Sequence, residues 1–226
     1  QKRRAGISPT DSWLVSASID FESSYLGAYR LQPDGSKLDL HRGILSAEAR
    51  GYIGLPWAKG HVLALRGAAG GTFGTDVPQR TYRMGGAYGD NPYVSLPDRY
   101  YALRGYPTSS LRGNHFWLAS AEYRLPLALV ERGLFTAPMW LRSLSLTLFA
   151  EAGQAWDNET YEEFGATPEG ATAFWEATRP SLGLELSGDV VLFWGAYFQG
   201  RVGYAVGLGP GAESGGTFYA QLGSSF

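Results

Sequence analysis

Cysteine is absent from the 226 residues, so no disulfide can staple the fold and no thiolate can act as nucleophile or ligand. That suits an exported protein. Charge is scarce too, with 18% charged residues and a net charge of −2. The basic triplet Lys2-Arg3-Arg4 reads as a solvated tail, and the basic face that nucleic acid requires is missing. We expect no nucleic-acid partner. No run of ~18 apolar residues occurs, so no transmembrane helix is encoded, and no secretory leader is visible. The chain begins at Gln1 rather than Met, which leads us to expect a processed or trimmed piece.

Glycine and aromatic residues are plentiful. There are 31 glycines, about twice the share implied by a usual content of roughly 7%, and 14% of residues are aromatic. The dominant pattern is strict alternation, the signature of strands with two unlike faces. Trp13, Val15, Ala17, Ile19 and Phe21 oppose Ser16, Ser18, Asp20 and Glu22. The same dyad runs through Leu45–Leu55, His61–Phe73, Trp117–Leu125, Leu144–Ala152, Leu182–Leu186, Phe198–Val206 and Phe218–Phe226. Between them we expect loops at Tyr25–Leu38, Gly74–Arg112, Trp156–Thr178 and Gly209–Gly215, tight turns at Pro56–Gly60 and Ser187–Val190, and an intermediate connection at Leu127–Met139.

Alternation alone does not say which face is inside. The polar face carries Glu48, Arg50, Arg66, Glu122, Arg124, Glu151, Glu185 and Arg201, opposite charges suited to an interior network. Lysine is nearly absent from the strands, and tryptophans gather near strand ends as interfacial girdles do. The predicted fold is all-β: a transmembrane antiparallel up-and-down β-barrel of about eight strands. A lead-in at residues 1–10 and both termini fall at the short-turn, periplasmic end, and a capping loop spans residues 74–112 between the third and fourth strands. We expect a single barrel domain over residues 1–226.

Specific motifs sit on this pattern. Tyr82-Arg83-Met84-Gly85-Gly86, Leu103-Arg104-Gly105-Tyr106, and Gly113-Asn114 leading into Ala121-Glu122-Tyr123-Arg124-Leu125-Pro126 resemble the bacterial surface antigen superfamily. That group contains BamA, TamA and the two-partner-secretion transporters. Phe149–Trp156 resembles the family's next strand, with Glu151 where Asp is more usual, and Arg179–Leu184 and Phe218–Phe226 follow in the expected order. The resemblance covers residues 80–226.

The resemblance implies that the loop bearing the Arg-Gly-Tyr motif folds back into the barrel and that Arg104 pairs with Glu122 and Glu151. It implies that Phe218, Tyr219, Leu222 and Phe226 form the C-terminal signal read by the outer-membrane assembly machinery. It also implies a bacterial outer-membrane location, contact with outer-membrane lipid and lipopolysaccharide, and client polypeptides. Two functions follow as expectations: outer-membrane protein assembly or polypeptide translocation by a largely plugged barrel, or a structural anchor for an upstream periplasmic domain. Eight strands are half the sixteen usual in that family, and an eight-stranded barrel is only just filled by side chains. Either the loop tip dips in shallowly, or the barrel is wider than usual, or two chains complete one wall.

No enzyme activity, metal or cofactor is expected. His41, His61 and His115 lack metal-ligand spacing. His41 and His115, beside Asp39 or Ser110, are the weakest of the functional candidates, and Asp157, Glu159, Glu162 and Glu163 read as a solvated acidic loop.

Overall fold

The computed structural model describes residues 11–39, 41–74, 82–87, 99–133, 139–157, 168–193 and 195–224. In chain order these form β1 (Ser12–Ser23), a hairpin of β2 (Tyr29–Leu31) and β3 (Lys37–Asp39), β4 (His41–Gly54), and β5 (Val62–Gly74). Three short strands follow, β6 (Tyr82–Met84), β7 (Tyr100–Tyr101) and β8 (Leu111–Gly113), then β9 (His115–Gly133) and β10 (Met139–Trp156). Helix α1 (Pro168–Ala177) precedes β11 (Arg179–Leu192), β12 (Ala196–Gly207) and β13 (Thr217–Ser224).

The long strands make one antiparallel sheet in the order β1-β4-β5-β9-β10-β11-β12-β13, each beside the next long strand in the chain. The register row Val15, Ala49, Gly67, Ala119, Ala152 crosses five of them. Because side-chain period is two, the neighbouring row Arg50, Arg66, Ser120, Glu151, Ser181 lies on the other face. Leu148, Leu184, Leu186 and Val202 are exposed on one side, whereas Ser143, Thr147, Glu151, Ser181, Glu185 and Ser187 are buried on the other. Water-soluble folds do the reverse. A wall facing lipid has this inverted pattern.

The concave polar face is covered by the loop between β5 and β9. There β6 pairs antiparallel with β8 and parallel with β7. Its side chains build the largest apolar cluster, in which Tyr82, Met84, Leu103 and Tyr106 pack with Ile44, Phe116 and Leu118 of the wall. Gly153 makes room for this: a Cβ there would lie 2.6 Å from the Met84 methyl.

Several local expectations change. The stretch Tyr25–Leu38 holds a 3-10 turn at Ser24–Leu26 and part of the β2–β3 hairpin rather than plain loop. Asp34 shapes the hairpin bend by accepting the Ser36 backbone N–H at 2.9 Å and its hydroxyl at 2.7 Å. These bonds hold the exposed Asp34 carboxyl below its usual range. Ser187–Val190 is not a turn. It continues β11, because Asp189 faces inward and accepts Ser143 Oγ at 2.7 Å and Gln199 Nε2 at 3.2 Å. β9 extends to Gly133 through Pro126, which sits past the end of its β5 pairing, where no N–H is needed on that side. The connection Trp156–Thr178 contains α1, whose Phe174 stacks on Trp117 with ring centroids 6.0 Å apart.

Barrel closure also differs from expectation. Among the described residues no pairing joins β1 to β13, so the sheet is open. Closure depends on contacts between the two most distant strands, and alternation within a strand carries no information about them. The lead-in 1–10 and loop positions 75–81 and 88–98 lie outside the described residues.

Candidate functional site

The candidate site is the loop tip at Arg104 and the three wall carboxylates that meet it. Arg104 is one of the most buried charged residues, 8% exposed, beside Glu151 at 8% and Glu185 at 5%. A buried guanidinium must be satisfied by charge and by hydrogen bonds, and here it is. Nη2 donates to Glu122 Oε1 at 2.8 Å and to Glu151 Oε1 at 2.5 Å, while Nε reaches the same Glu151 oxygen at 2.9 Å. The other Glu151 oxygen accepts the Arg104 backbone N–H at 2.9 Å. One carboxylate therefore holds both the side chain and the main chain of the tip. Nη1 stands 3.6 Å from Glu185 Oε2. The guanidinium carbon lies 3.5 Å from the Phe149 ring centroid, a cation–π contact.

Two wall arginines complete the charge balance. Arg124 donates to Glu122 Oε2 from Nη2 at 2.7 Å and Nε at 3.1 Å. Arg201 Nη1 lies 3.8 Å from Glu185 Oε1 and its fork donates to Gln199. Three cations thus face three carboxylates. A second cluster sits on β4 and β5, where Glu48 Oε1 accepts both Arg66 Nε at 2.8 Å and Arg50 Nε.

The sequence positions this geometry through small residues. Gly105 has φ +90°, and a Cβ there would lie 2.7 Å from Gly207 N and 2.9 Å from Val206 C. Glycine is thus needed both for conformation and for the close approach to β12. Next to it, Tyr106 Oη donates to Pro180 O at 2.7 Å and accepts Gly209 N–H at 2.9 Å. Leu103 is fully buried, and Gly86 N–H donates to Tyr106 O at 2.7 Å while Leu103 N–H donates to Gly86 O at 3.1 Å. Tyr106→Phe is expected to cost about 1–3 kcal/mol, since it leaves the Pro180 carbonyl and the Gly209 amide without this partner. Urea unfolding followed by tryptophan fluorescence measures it, and an unchanged midpoint would mean the hydroxyl does not hold the loop.

The structure brings together Leu103, Arg104, Gly105, Tyr106, Glu122, Glu151, Arg124, Glu185 and Arg201. It leaves Glu48, Arg50 and Arg66 as the separate cluster. Glu185 is a third carboxylate at the tip, beyond the two that the motif implied. Its only clue in sequence is its place in the polar phase of the Leu182–Leu186 run. Phe149 and Tyr219 were not legible as parts of the site. Tyr219 lies in the stretch read as the assembly signal, yet its hydroxyl donates to Glu185 Oε2 at 2.9 Å. Its ring lies against Gly203, where a Cβ would be 2.2 Å from Cζ. Phe218 and Leu222 are exposed on the apolar face, and Phe226 lies outside the described residues.

The histidines are elsewhere. His41 hydrogen-bonds Ser23 Oγ at 3.1 Å and Ser24 Oγ at 3.2 Å, His61 meets Tyr123 Oη at 2.8 Å, and His115 stacks on Trp156. Among the described residues no group of three or more His, Asp or Glu is placed to hold a metal ion. Glu159, Glu162 and Glu163 lie outside those residues.

An apolar exposed face, a charged concave face and a loop tip clamped by wall carboxylates define a wall protein of the outer-membrane β-barrel class. The chain belongs to the Omp85 superfamily, whose domain matches residues 2–224. It is similar in fold to the crystal structure of BamA from Haemophilus ducreyi lacking POTRA domains 1-3, with a TM-score of 0.57 at 17% identity. That likeness covers 98% of this chain and 40% of the other. No curated protein matches the chain. Family and fold together make it a BamA-like outer-membrane β-barrel protein.

Proposed function

We propose that this protein works in outer-membrane protein assembly or polypeptide translocation, with its interior plugged by the 74–112 loop rather than open as a pore. The observation that carries the reading is the double hold of Glu151 on Arg104, through guanidinium and main chain together. A tip fastened in this way stays seated until three carboxylates are released at once. Work on client polypeptides then falls to the wall and its edges, beside β1 and β13, rather than to a central channel. On this reading both termini face the periplasm, and lipid and lipopolysaccharide surround the apolar face. The assembly machinery reads the last strand through Phe218, Leu222 and Phe226.

Conductance in planar bilayers tests the plug. Wild type is expected to be silent and Arg104→Ala to show openings; steady conductance by wild type would overturn it. Vesicles carrying the protein are expected to speed folding of an added outer-membrane protein over empty lipid. Equal rates would remove the assembly role.

The membrane wall has its own test at Leu184, which is exposed at the centre of β11. Leu184→Arg is expected to cost about 2–4 kcal/mol of stability in bilayers, the penalty for arginine on the lipid face near the midplane. A change under about 0.5 kcal/mol, typical of water-exposed positions, would mean that face meets water.

A further inference from the structure

Three carboxylates meet Arg104, and two of them hold a second partner that does not depend on the loop. Glu122 gives Oε1 to Arg104 but Oε2 to Arg124 of its own strand. Glu185 faces Arg201 through Oε1 and accepts the Tyr219 hydroxyl at Oε2, with Arg104 Nη1 farther off at 3.6 Å. Glu151 differs. Its Oε1 takes Nε and Nη2 of Arg104, and its Oε2 takes the Arg104 main-chain N–H. Withdrawal of the tip strips both oxygens of these donors, and a buried carboxylate needs hydrogen bonds to stay ionised.

The wall carries donors on either side of it. Glu151 lies directly opposite Ser120 of β9 and Ser181 of β11. Residues facing each other across an antiparallel pair have Cβ atoms about 4.5–5.5 Å apart. Ser120 Oγ already leans on Glu151 Oε1 at a long 3.4 Å. Ser181 stands out more. It is 2% exposed, and among the described residues its Oγ has no hydrogen-bond partner. Alanine would fill the same place without leaving a hydroxyl unpaired, and a buried polar group without a partner costs stability. The use of that hydroxyl lies in a state other than the seated one.

We infer that the socket has a second, unseated state in which Ser120 and Ser181 take over Glu151, while Glu122 stays with Arg124 and Glu185 with Arg201 and Tyr219. The inference rests on the plug reading and adds how the plug lets go. Arg104 is exchanged for donors that already stand in the wall, so the tip leaves and returns without unfolding the sheet. The seated state keeps the advantage, because the guanidinium brings a charge and a rigid fork whereas the serines are neutral. Ser181 therefore acts on the loop through Glu151, as a positioning residue that lowers the cost of opening.

Ser181→Ala separates this role from mere packing, since only the unseated state has a bond there to lose. The Arg104 N–H is bonded to Glu151 when seated, and its hydrogen exchange, followed by NMR in micelles, reports opening. Ser181→Ala is expected to slow that exchange about tenfold or more, the equilibrium worth of a hydrogen bond to a charged group. Ser181→Thr keeps the hydroxyl and is expected to exchange as wild type does. Unchanged or faster exchange in Ser181→Ala overturns the inference. In an Arg104→Ala background the same substitution is expected to lower the folded-to-unfolded ratio in urea about tenfold, though it costs nothing beside an intact Arg104. Equal effects in the two backgrounds also overturn it. Bilayer conductance is recorded alongside. A silent wild type with unchanged exchange in Ser181→Ala sinks the standby serines alone, whereas a steadily conducting wild type sinks the plug itself.

Discussion

Replacing Arg104 by alanine is expected to destabilise the folded protein by about 3–5 kcal/mol, the cost of removing one partner from a buried ion pair. The size follows from what stays behind. Glu151 and Glu185 are buried and Glu122 partly so, and all three lean on one guanidinium. Arg124 and Arg201 each retain a carboxylate partner, but the salt bridges to Glu151 are made by Arg104. Arg104→Lys is expected to lose less. The ammonium keeps the charge but is a point donor, so it cannot serve Glu122 and Glu151 with the fork that Nε and Nη2 provide. Urea titration in micelles gives the free energies, and heat-modifiable gel mobility gives a second readout. An Arg104→Ala protein with the wild-type midpoint and mobility would show that the cluster does not hold the loop.

The second large effect is expected at Gly105. A left-handed φ of +90° strains any other residue, and the space a methyl would need is taken by backbone atoms of Val206 and Gly207, which cannot rotate aside. Backbone strain of about 1–3 kcal/mol and overpacking of similar size combine to an expected loss of about 2–6 kcal/mol in Gly105→Ala. The loss is local. The tip should leave its seat while the sheet stays folded, so limited proteolysis should cut within the loop at protease levels that spare wild type. Gly211 is the control: its φ is +79°, but nothing lies within 4 Å of its Cβ position. Gly211→Ala is expected to cost about 1 kcal/mol and leave the loop resistant. Equal protease sensitivity in the two variants would mean that the contact with β12 does not matter.

How much of this was legible in the sequence depends on how local each feature is. The long strands are written into the chain as a period of two, so their cores at Val15, Leu65, Ala121, Leu148 and Leu184 were readable. Strand ends were less so. Ser187-Gly188-Asp189 has the composition of a turn, and only cross-strand bonds to Ser143 and Gln199 show that it runs on as strand. Arg104 with Glu122 and Glu151 was legible through the family motif, since alternation gives a residue's face but not its partner. Glu185 needed the register. It lies opposite Thr147, four residues before Glu151 on β10, which brings it below the same guanidinium. That β1 and β13 do not pair among the described residues was not legible at all, because closure concerns strands far apart in the chain.

The partners of Arg104 all come after it in the chain. Glu122 follows by 18 residues and Glu151 by 47, with Glu185 on the strand beyond. The tip is therefore synthesised before any of the three carboxylates that hold its guanidinium. Contacts this distant in sequence form late and slowly, since the intervening chain must first be brought into place. The loop has to wait unseated while β9, β10 and β11 line up, and its arrival then neutralises their carboxylates in one event. Seating of Arg104 would thus mark the end of folding, a built-in signal that the central wall is complete.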